Sequence, residues 1–297
     1  MVWANFPGAW PGAGTKADRH AHPDSATGSG SRIFGGGAAD ACIPWRLVTD
    51  PSGLGSGSRL TFHGPLCGAR ADRLAADLAA NNPATVVDYG CGWGELLLRV
   101  LEAAPQARGV GVEIHGPDIA RGRRSADKRS LSDRVVFIEG SATDHTAMAD
   151  VVISCGAYQA FGTVPEALSA LRALVNPGGL LLFGAEIWDR TPTRQELANM
   201  WPGMMLDACL HLADLVDTAV EAGFRPLRIE TATRGEWEEF ESGYAAGAEQ
   251  WLLANPGHPE AEQVRARLDE HRSIWLRGHR DVWGFAYLTL GVTPSAR

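Results

Sequence analysis

The chain has 297 residues and a formal net charge of −8 at pH 7, a length that suits one decorated α/β domain with a substantial core. The acidic balance, with no lysine-arginine cluster, argues against DNA or RNA as a partner, because binding a nucleic-acid backbone needs concentrated positive charge. No apolar run reaches the length of a membrane span and the N-terminus lacks a signal-peptide core, so we expect a cytoplasmic protein without a membrane partner.

The five cysteines are scattered and form no Cys-x-x-Cys pair. This pattern indicates a reducing compartment, without structural disulfides or zinc. His20, His22 and Asp24 have the spacing of a metal site but stand alone in polar sequence, so we predict no bound metal. No feature of the chain favours one oligomeric state over another.

The first segment, residues 1–57, is dense in Gly, Pro, Ala and Ser and has little periodicity. Such a composition predicts a poorly ordered N-terminal tail. The first regular element is then a helix with apolar positions at Ala71, Leu74 and Leu78, which ends at Asn81-Asn82-Pro83.

Residues 86–95 read Val-Val-Asp-Tyr-Gly-Cys-Gly-Trp-Gly-Glu and are the most informative run of the chain. The apolar pair and Asp88 are typical of the end of a buried parallel strand, and a helical pattern begins at Glu95. Glycines at alternate positions between them let the backbone turn sharply and let a ligand approach closely. A strand, a glycine-rich turn and a helix in this order form a nucleotide-binding crevice.

The residue types at this turn select among nucleotides. A dinucleotide fingerprint would need a third glycine where Glu95 stands, and a P-loop would need Gly-Lys-Ser/Thr. Asp88 before the glycines suits a ligand with a cationic amino-acid end. The segment resembles motif I of the class I S-adenosylmethionine-dependent methyltransferases, which reads Asp-x-Gly-x-Gly-x-Gly.

Further segments are similar to that family in order and spacing. Residues 109–114 resemble its second strand, 135–143 the third strand with the loop that borders adenine, and 150–156 the fourth strand. Residues 174–184 resemble the Pro-Gly-Gly turn that leads into the fifth strand. The resemblance implies a Rossmann-like α/β fold, with a mostly parallel seven-stranded methyltransferase sheet, an antiparallel last strand and helices on both faces.

The resemblance also implies the cofactor S-adenosyl-L-methionine, with S-adenosyl-L-homocysteine as product. Asp88 and the glycines would hold the methionine end, and Glu113 would accept hydrogen bonds from the ribose hydroxyls. Ser141 stands where the family commonly has aspartate, although its hydroxyl can still serve one adenine nitrogen. The predicted cofactor-binding residues are Asp88, Gly90, Cys91, Gly92, Gly94, Glu113, Ile114, Ser141, Ala142 and Cys155.

The remaining elements complete the sheet and add an insertion. Thr163 and Glu166 form a Thr-x-x-Glu capping box before a helix. Helical sequence follows at 212–222, then a sixth strand from Phe224 and a seventh from Trp283, which in the family lies antiparallel between the fifth and sixth. We therefore predict a core of residues 58–234 plus 281–293.

Residues 235–280 form the predicted helical insertion. Apolar side chains recur there at steps of three and four, which predicts two amphipathic helices around the turn Asn255-Pro256-Gly257. The apolar faces of these two helices would either pack against the edge of the sheet or cover the active site. A second possible lid is 188–210, rich in tryptophan and methionine, which would suit an apolar or aromatic acceptor.

Methyl transfer from a sulfonium is an in-line displacement, in which the protein aligns the acceptor and excludes water. A hydroxyl acceptor would gain from a general base, and the candidate catalytic residues by position are His63, Tyr158 and Gln159. Gln159 could only orient the substrate. If His63 is catalytic, His63→Ala would lose turnover and keep cofactor affinity.

The predicted function is methyl transfer to a small, apolar or aromatic metabolite, with oxygen, nitrogen, carbon or sulfur as the acceptor atom. Two alternatives remain open: a lipid-modifying enzyme resembling the cyclopropane synthases, and an S-adenosylmethionine-binding protein without catalysis. A nicotinamide-dependent dehydrogenase is disfavoured by Glu95.

Overall fold

The structure is a computed structural model that describes Gly57 and residues 59–294. The predicted tail, apart from Gly57, lies outside the described residues. The strands are β1 (Thr85–Tyr89), β2 (Arg108–Glu113), β3 (Val135–Glu139), β4 (Ala149–Cys155), β5 (Val175–Trp188), β6 (Leu210–His211), β7 (Arg225–Thr231) and β8 (Trp283–Gly291). The α-helices are α1 (Gly68–Ala79), α2 (Glu95–Ala103), α3 (Gly116–Lys128), α4 (Val164–Leu174), α5 (Arg194–Ala198), α6 (Leu212–Glu221), α7 (Arg234–Ala254) and α8 (Ala261–Ile274).

The main sheet has the strand order β3-β2-β1-β4-β5-β8-β7. Strand β8 runs antiparallel to both β5 and β7, and the other pairs along this path are parallel. The predicted mostly parallel sheet with an antiparallel last strand is therefore confirmed. A further strand, β6, was not predicted; it has two residues and pairs with the end of β5.

Helices cover both faces of the sheet because the strands are apolar on both sides. On one face, Leu74 of α1, Leu97 of α2 and Ile119 of α3 pack with Ile153 of β4. The neighbouring Val152 points to the opposite face, where α4 and α6 cover it. The carboxyl ends of β1, β2 and β4 meet at one edge, which is where a ligand binds in open parallel sheets.

Local signals set the start of several helices. The predicted capping box is present before α4, where the Thr163 backbone N–H donates to Glu166 Oε2 at 2.7 Å. The same box begins α7, where the Thr233 N–H donates to Glu236 Oε2 at 2.8 Å. Each box satisfies backbone donors that a helix N-terminus would otherwise leave unpaired.

The residues predicted as an insertion form the hairpin α7–α8. Its far half is closed by Ala248 and Trp251 of α7 packing on Val264 and Leu268 of α8. Its near half carries Phe240 into an aromatic cluster with tryptophans at the end of β5 and the start of β8. The hairpin thus covers the carboxyl edge of the sheet. No helix in the described part of the chain is long and apolar enough to cross a membrane.

Candidate functional site

The glycine turn between β1 and α2 has a backbone that side chains disfavour. Gly90, Gly92 and Gly94 have φ of 71°, 55° and 70°, in the left-handed region that glycine adopts without penalty. A Cβ on Gly90 would overlap the Cβ of Ala157, and one on Gly94 would overlap the ring of Phe137. A Cβ on Gly92 would overlap no protein atom, because the nearest one, His63 Nδ1, would lie 3.7 Å away across the cavity.

Glu113 ends β2 and ties the glycine turn to its neighbouring strand. Its side chain is buried, with 2% of the residue exposed. Its Oε2 accepts from the Gly92 N–H at 3.0 Å, and its Oε1 accepts from the His115 N–H at 2.9 Å. The carboxylate therefore fixes the turn, and its remaining lone pairs can accept further hydrogen bonds.

Asp88, at the end of β1, is the other acid of the site. It is buried beside the cavity, with 4% of the residue exposed. Burial, and secondarily the charge of Glu113, raises the pKa of Asp88 to about 8. The carboxyl is therefore protonated at neutral pH in the free protein, and a cationic ligand group would favour its ionised form.

This raised pKa predicts a pH-dependent effect of Asp88→Asn on stability. From about pH 4 to pH 8 the folded state holds a proton that the unfolded state has lost, so Asp88 makes the protein less stable as pH rises. The stability of Asp88→Asn relative to the wild type should increase by about 1.4 kcal/mol per pH unit across that window. Urea denaturation of both proteins at pH 5 and pH 7 checks this, and a pH-independent difference would contradict it.

Residues 59–66 form a roof over the glycine turn. The Trp93 indole N–H donates to the Thr61 carbonyl at 2.7 Å. The Arg121 guanidinium lies 3.8 Å from the Trp93 ring centroid and donates to the Leu60 carbonyl at 2.6 Å. His63 stacks on Trp93 with centroids 4.9 Å apart. Burial lowers the pKa of His63 to about 3, so this imidazole is neutral and a weak proton acceptor.

The roof is held from its other end by the insertion and by β8. Glu236 of α7 accepts from Arg70 Nε at 2.8 Å and from the Cys67 N–H at 3.1 Å. The Tyr287 hydroxyl of β8 donates to the Pro65 carbonyl at 3.0 Å. Hydrogen bonds that close large loops thus keep the roof on the turn.

Between the roof and the sheet edge lies a cavity of about 790 Å³, part of it open to solvent. Its walls are the glycine turn, the end of β4, the roof, and aromatic side chains of α7 and β8. Among the predicted site residues, the walls include His63, Asp88, Gly90, Cys91, Gly92 and Cys155. Burial raises the pKa of the Cys91 and Cys155 thiols, which therefore stay protonated.

The other predicted cofactor residues lie outside the cavity wall: Gly94 ends the glycine turn, Glu113 ends β2, and Ile114, Ser141 and Ala142 follow β2 and β3. Ile114 is 66% exposed, and Ala142 is buried in the 3₁₀ turn that follows β3. The Ser141 hydroxyl lies 2.8 Å from the Thr143 hydroxyl and caps a short 3₁₀ turn. The Gly140 N–H donates to the Glu113 carbonyl at 3.0 Å, so this loop lies directly beside the strand end that carries Glu113.

The two remaining candidates, Tyr158 and Gln159, follow β4. They lie near Glu186, a residue that the sequence analysis did not single out. Tyr158 packs near Phe183, with ring centroids 6.4 Å apart. The Gln159 side chain hydrogen-bonds to Glu186 of β5, which is 4% exposed and whose pKa is raised by burial. The sequence does contain a sign of a buried carboxyl here, because Glu186 is the one acidic residue in the apolar run Leu-Leu-Leu-Phe-Gly-Ala-Glu-Ile-Trp.

Comparisons with known proteins agree with this geometry. The family model described as a methyltransferase domain matches residues 87–181. The uncharacterized protein YjhP of Escherichia coli (strain K12) is 26% identical over 237 residues, covering 79% of this chain and 95% of YjhP.

Two similar solved structures are S-adenosylmethionine-dependent methyltransferases in complex with S-adenosyl-L-homocysteine. The one from Thiobacillus denitrificans is 25% identical, with a TM-score of 0.72, and the match covers 80% of this chain and 96% of that one. The one from Geobacter sulfurreducens is 24% identical, also with a TM-score of 0.72, and the match covers 80% and 95%.

Proposed function

Because the chain belongs to the class I S-adenosylmethionine-dependent methyltransferases, we propose that it transfers the cofactor's methyl group to a small apolar or aromatic metabolite. The observation that carries the proposal is the buried Glu113 carboxylate, which fixes the Gly92 backbone next to a roofed cavity. The acidic net charge supports an acceptor other than nucleic acid. The scattered cysteines support a cytoplasmic location.

The cofactor would lie along the carboxyl ends of β1, β2 and β3. Its ammonium group would ionise Asp88, which is neutral without a ligand because it is buried. Glu113 would accept from the ribose hydroxyls with lone pairs that the Gly92 and His115 amides leave free. Adenine would lie against Ile114 and the turn that contains Ser141 and Ala142.

The methyl group would face the part of the cavity below the roof and the insertion. Cys155 of β4 lines this part, together with Trp237, Phe240 and Phe285. Flat aromatic walls suit a ring-containing or otherwise apolar acceptor. In this arrangement His63, stacked on Trp93, would cover the cofactor and exclude water.

Calorimetric titration of the purified protein with S-adenosylhomocysteine, and separately with NAD⁺, tests the cofactor assignment. We expect a dissociation constant in the micromolar range or tighter for S-adenosylhomocysteine and no heat with NAD⁺. The reverse preference would exclude the proposed function. Transfer of an isotope-labelled methyl group then separates an enzyme from a protein that only binds the cofactor.

A further inference from the structure

Glu186 lies on the sheet face that carries the cavity. In the antiparallel pair of β5 and β8, Glu186 is directly opposite Phe285, and Gly184 is opposite Tyr287. Directly opposed residues of an antiparallel pair point to the same face. Since Phe285 and Tyr287 line the cavity, the Glu186 side chain emerges beside its wall, at the carboxyl end of β5.

The carboxyl group of Glu186 has a partner for only part of its hydrogen-bonding capacity. Gln159 hydrogen-bonds to it, while the buried Oε1 has no hydrogen-bond partner among the described residues. No basic side chain of residues 59–294 forms an ion pair with it. A buried polar atom without a partner lowers stability, so the free Oε1 is able to accept a hydrogen bond from a ligand.

The surroundings of Glu186 indicate the chemistry of that ligand. Two residues further along β5 is Trp188, which faces Trp283 of β8 with centroids 6.4 Å apart. Trp201 approaches Trp283 edge-on at 4.8 Å, and Trp237 stacks on it at 6.3 Å. A carboxyl at the margin of an aromatic cluster fits a ring compound with one hydrogen-bond donor.

The other polar groups near Glu186 cannot take up a proton at neutral pH. Burial raises the pKa of Tyr158 and raises that of Cys209 to about 12, so both stay protonated. Gln159 has no basic group, and His63, on the roof, is a weak proton acceptor. Glu186 is therefore the group in this cluster whose ionised form can act as a base.

We propose that Glu186 binds the methyl acceptor and receives its proton, and that the acceptor is a ring compound whose reacting atom is a hydroxyl oxygen or an amine nitrogen. This inference rests on the proposed methyltransferase function. The acceptor's lone pair forms the new bond to the methyl carbon, and the sulfur–methyl bond breaks with its electron pair going to sulfur. The acceptor's proton passes to the Glu186 carboxylate and later to solvent. Gln159 is a positioning residue that orients the carboxylate.

The test uses three matched probes with the full chain: 2-naphthol, its methyl ether, and naphthalene-2-carboxylate. With S-adenosylhomocysteine bound, tryptophan fluorescence should report at least about tenfold tighter binding of 2-naphthol than of the ether or the carboxylate, since one charge-assisted hydrogen bond is worth that much. With labelled S-adenosylmethionine, the wild type should methylate 2-naphthol.

Three variants separate chemistry from structure. Glu186→Gln keeps the size of the side chain and one hydrogen-bond acceptor but loses the charge, so it should bind 2-naphthol up to about tenfold more weakly, while kcat falls about 10²–10⁴-fold. Glu186→Asp fits less well but keeps the proton acceptor, so its kcat should exceed that of Glu186→Gln. Glu221→Gln, at the exposed end of α6, is the matched control and should behave as the wild type.

Calorimetry with S-adenosylhomocysteine on every variant distinguishes the two possible failures. No cofactor binding by the wild type would count against the proposed function itself. Cofactor binding with undiminished transfer by Glu186→Gln would overturn the role of Glu186. A wild type that does not bind 2-naphthol, or binds the ether equally well, would overturn the acceptor class.

Discussion

Glu113→Ala is expected to weaken the binding of S-adenosylhomocysteine at least about a hundredfold. The proposed ribose contacts are two hydrogen bonds to a carboxylate, each worth about 1.5–3 kcal/mol, and each 1.4 kcal/mol is a factor of ten in affinity. The variant also removes the acceptor of the Gly92 and His115 amides. The glycine turn would therefore lose its link to β2 in addition to its ligand contacts.

The chain offers a close control for this variant. Glu139 ends β3 directly beside Glu113 in the parallel register, but its side chain is exposed. Glu139→Ala should leave the affinity within about threefold of the wild type, as expected for a surface position. Calorimetry on both variants gives the comparison. Equal losses would mean that general charge at this edge, and not the buried carboxylate, holds the cofactor.

Gly90→Ala is expected to lower the free energy of unfolding by about 3 kcal/mol. The left-handed backbone costs about 1–2 kcal/mol for a residue with a Cβ, and overlap with Ala157 adds about 1–3 kcal/mol. The overlap would also push the loop after β4 away from the glycine turn. Cofactor binding should therefore be lost together with stability.

Gly203→Ala separates the two causes. Gly203 has a φ of 86°, also left-handed, but a Cβ there would meet nothing within 4 Å. This variant should lose only the backbone cost, about 1–2 kcal/mol, and keep cofactor binding. Urea denaturation of both variants measures the difference. If the two losses were equal, the close approach of Ala157 would have no energetic role.

The sequence predicts those parts of the structure that are determined by residues close together along the chain. The glycine turn, the capping box at Thr163 and the turn at Asn255-Pro256-Gly257 each lie within a few residues. The position of Glu113 is predictable because its strand follows the turn in a parallel sheet of known order. The order of β5, β8 and β7 was predicted from the family resemblance and is confirmed by the structure.

What the sequence could not show depends on residues far apart along the chain. Arg70 and Glu236 form a buried ion pair across 166 positions, and nothing near either residue indicates the other. The stacking of His63 on Trp93 likewise exists only once the roof is folded back. β6 has only two residues, too few to show the alternation of apolar and polar side chains that predicts a strand. It forms only because the end of β5 lies beside it in the folded protein.

The contacts that hold the roof also set a time order for biosynthesis. The glycine turn and Glu113 are synthesised well before Glu236, which binds the chain just after the roof, and Tyr287, which binds the roof itself. β8 must also insert between β5 and β7 before the sheet is complete. Domains generally fold as units during synthesis, so a nascent chain has the cofactor loop long before it has a closed cofactor site. Synthesis and insertion of β8 is therefore the step that closes the cofactor site.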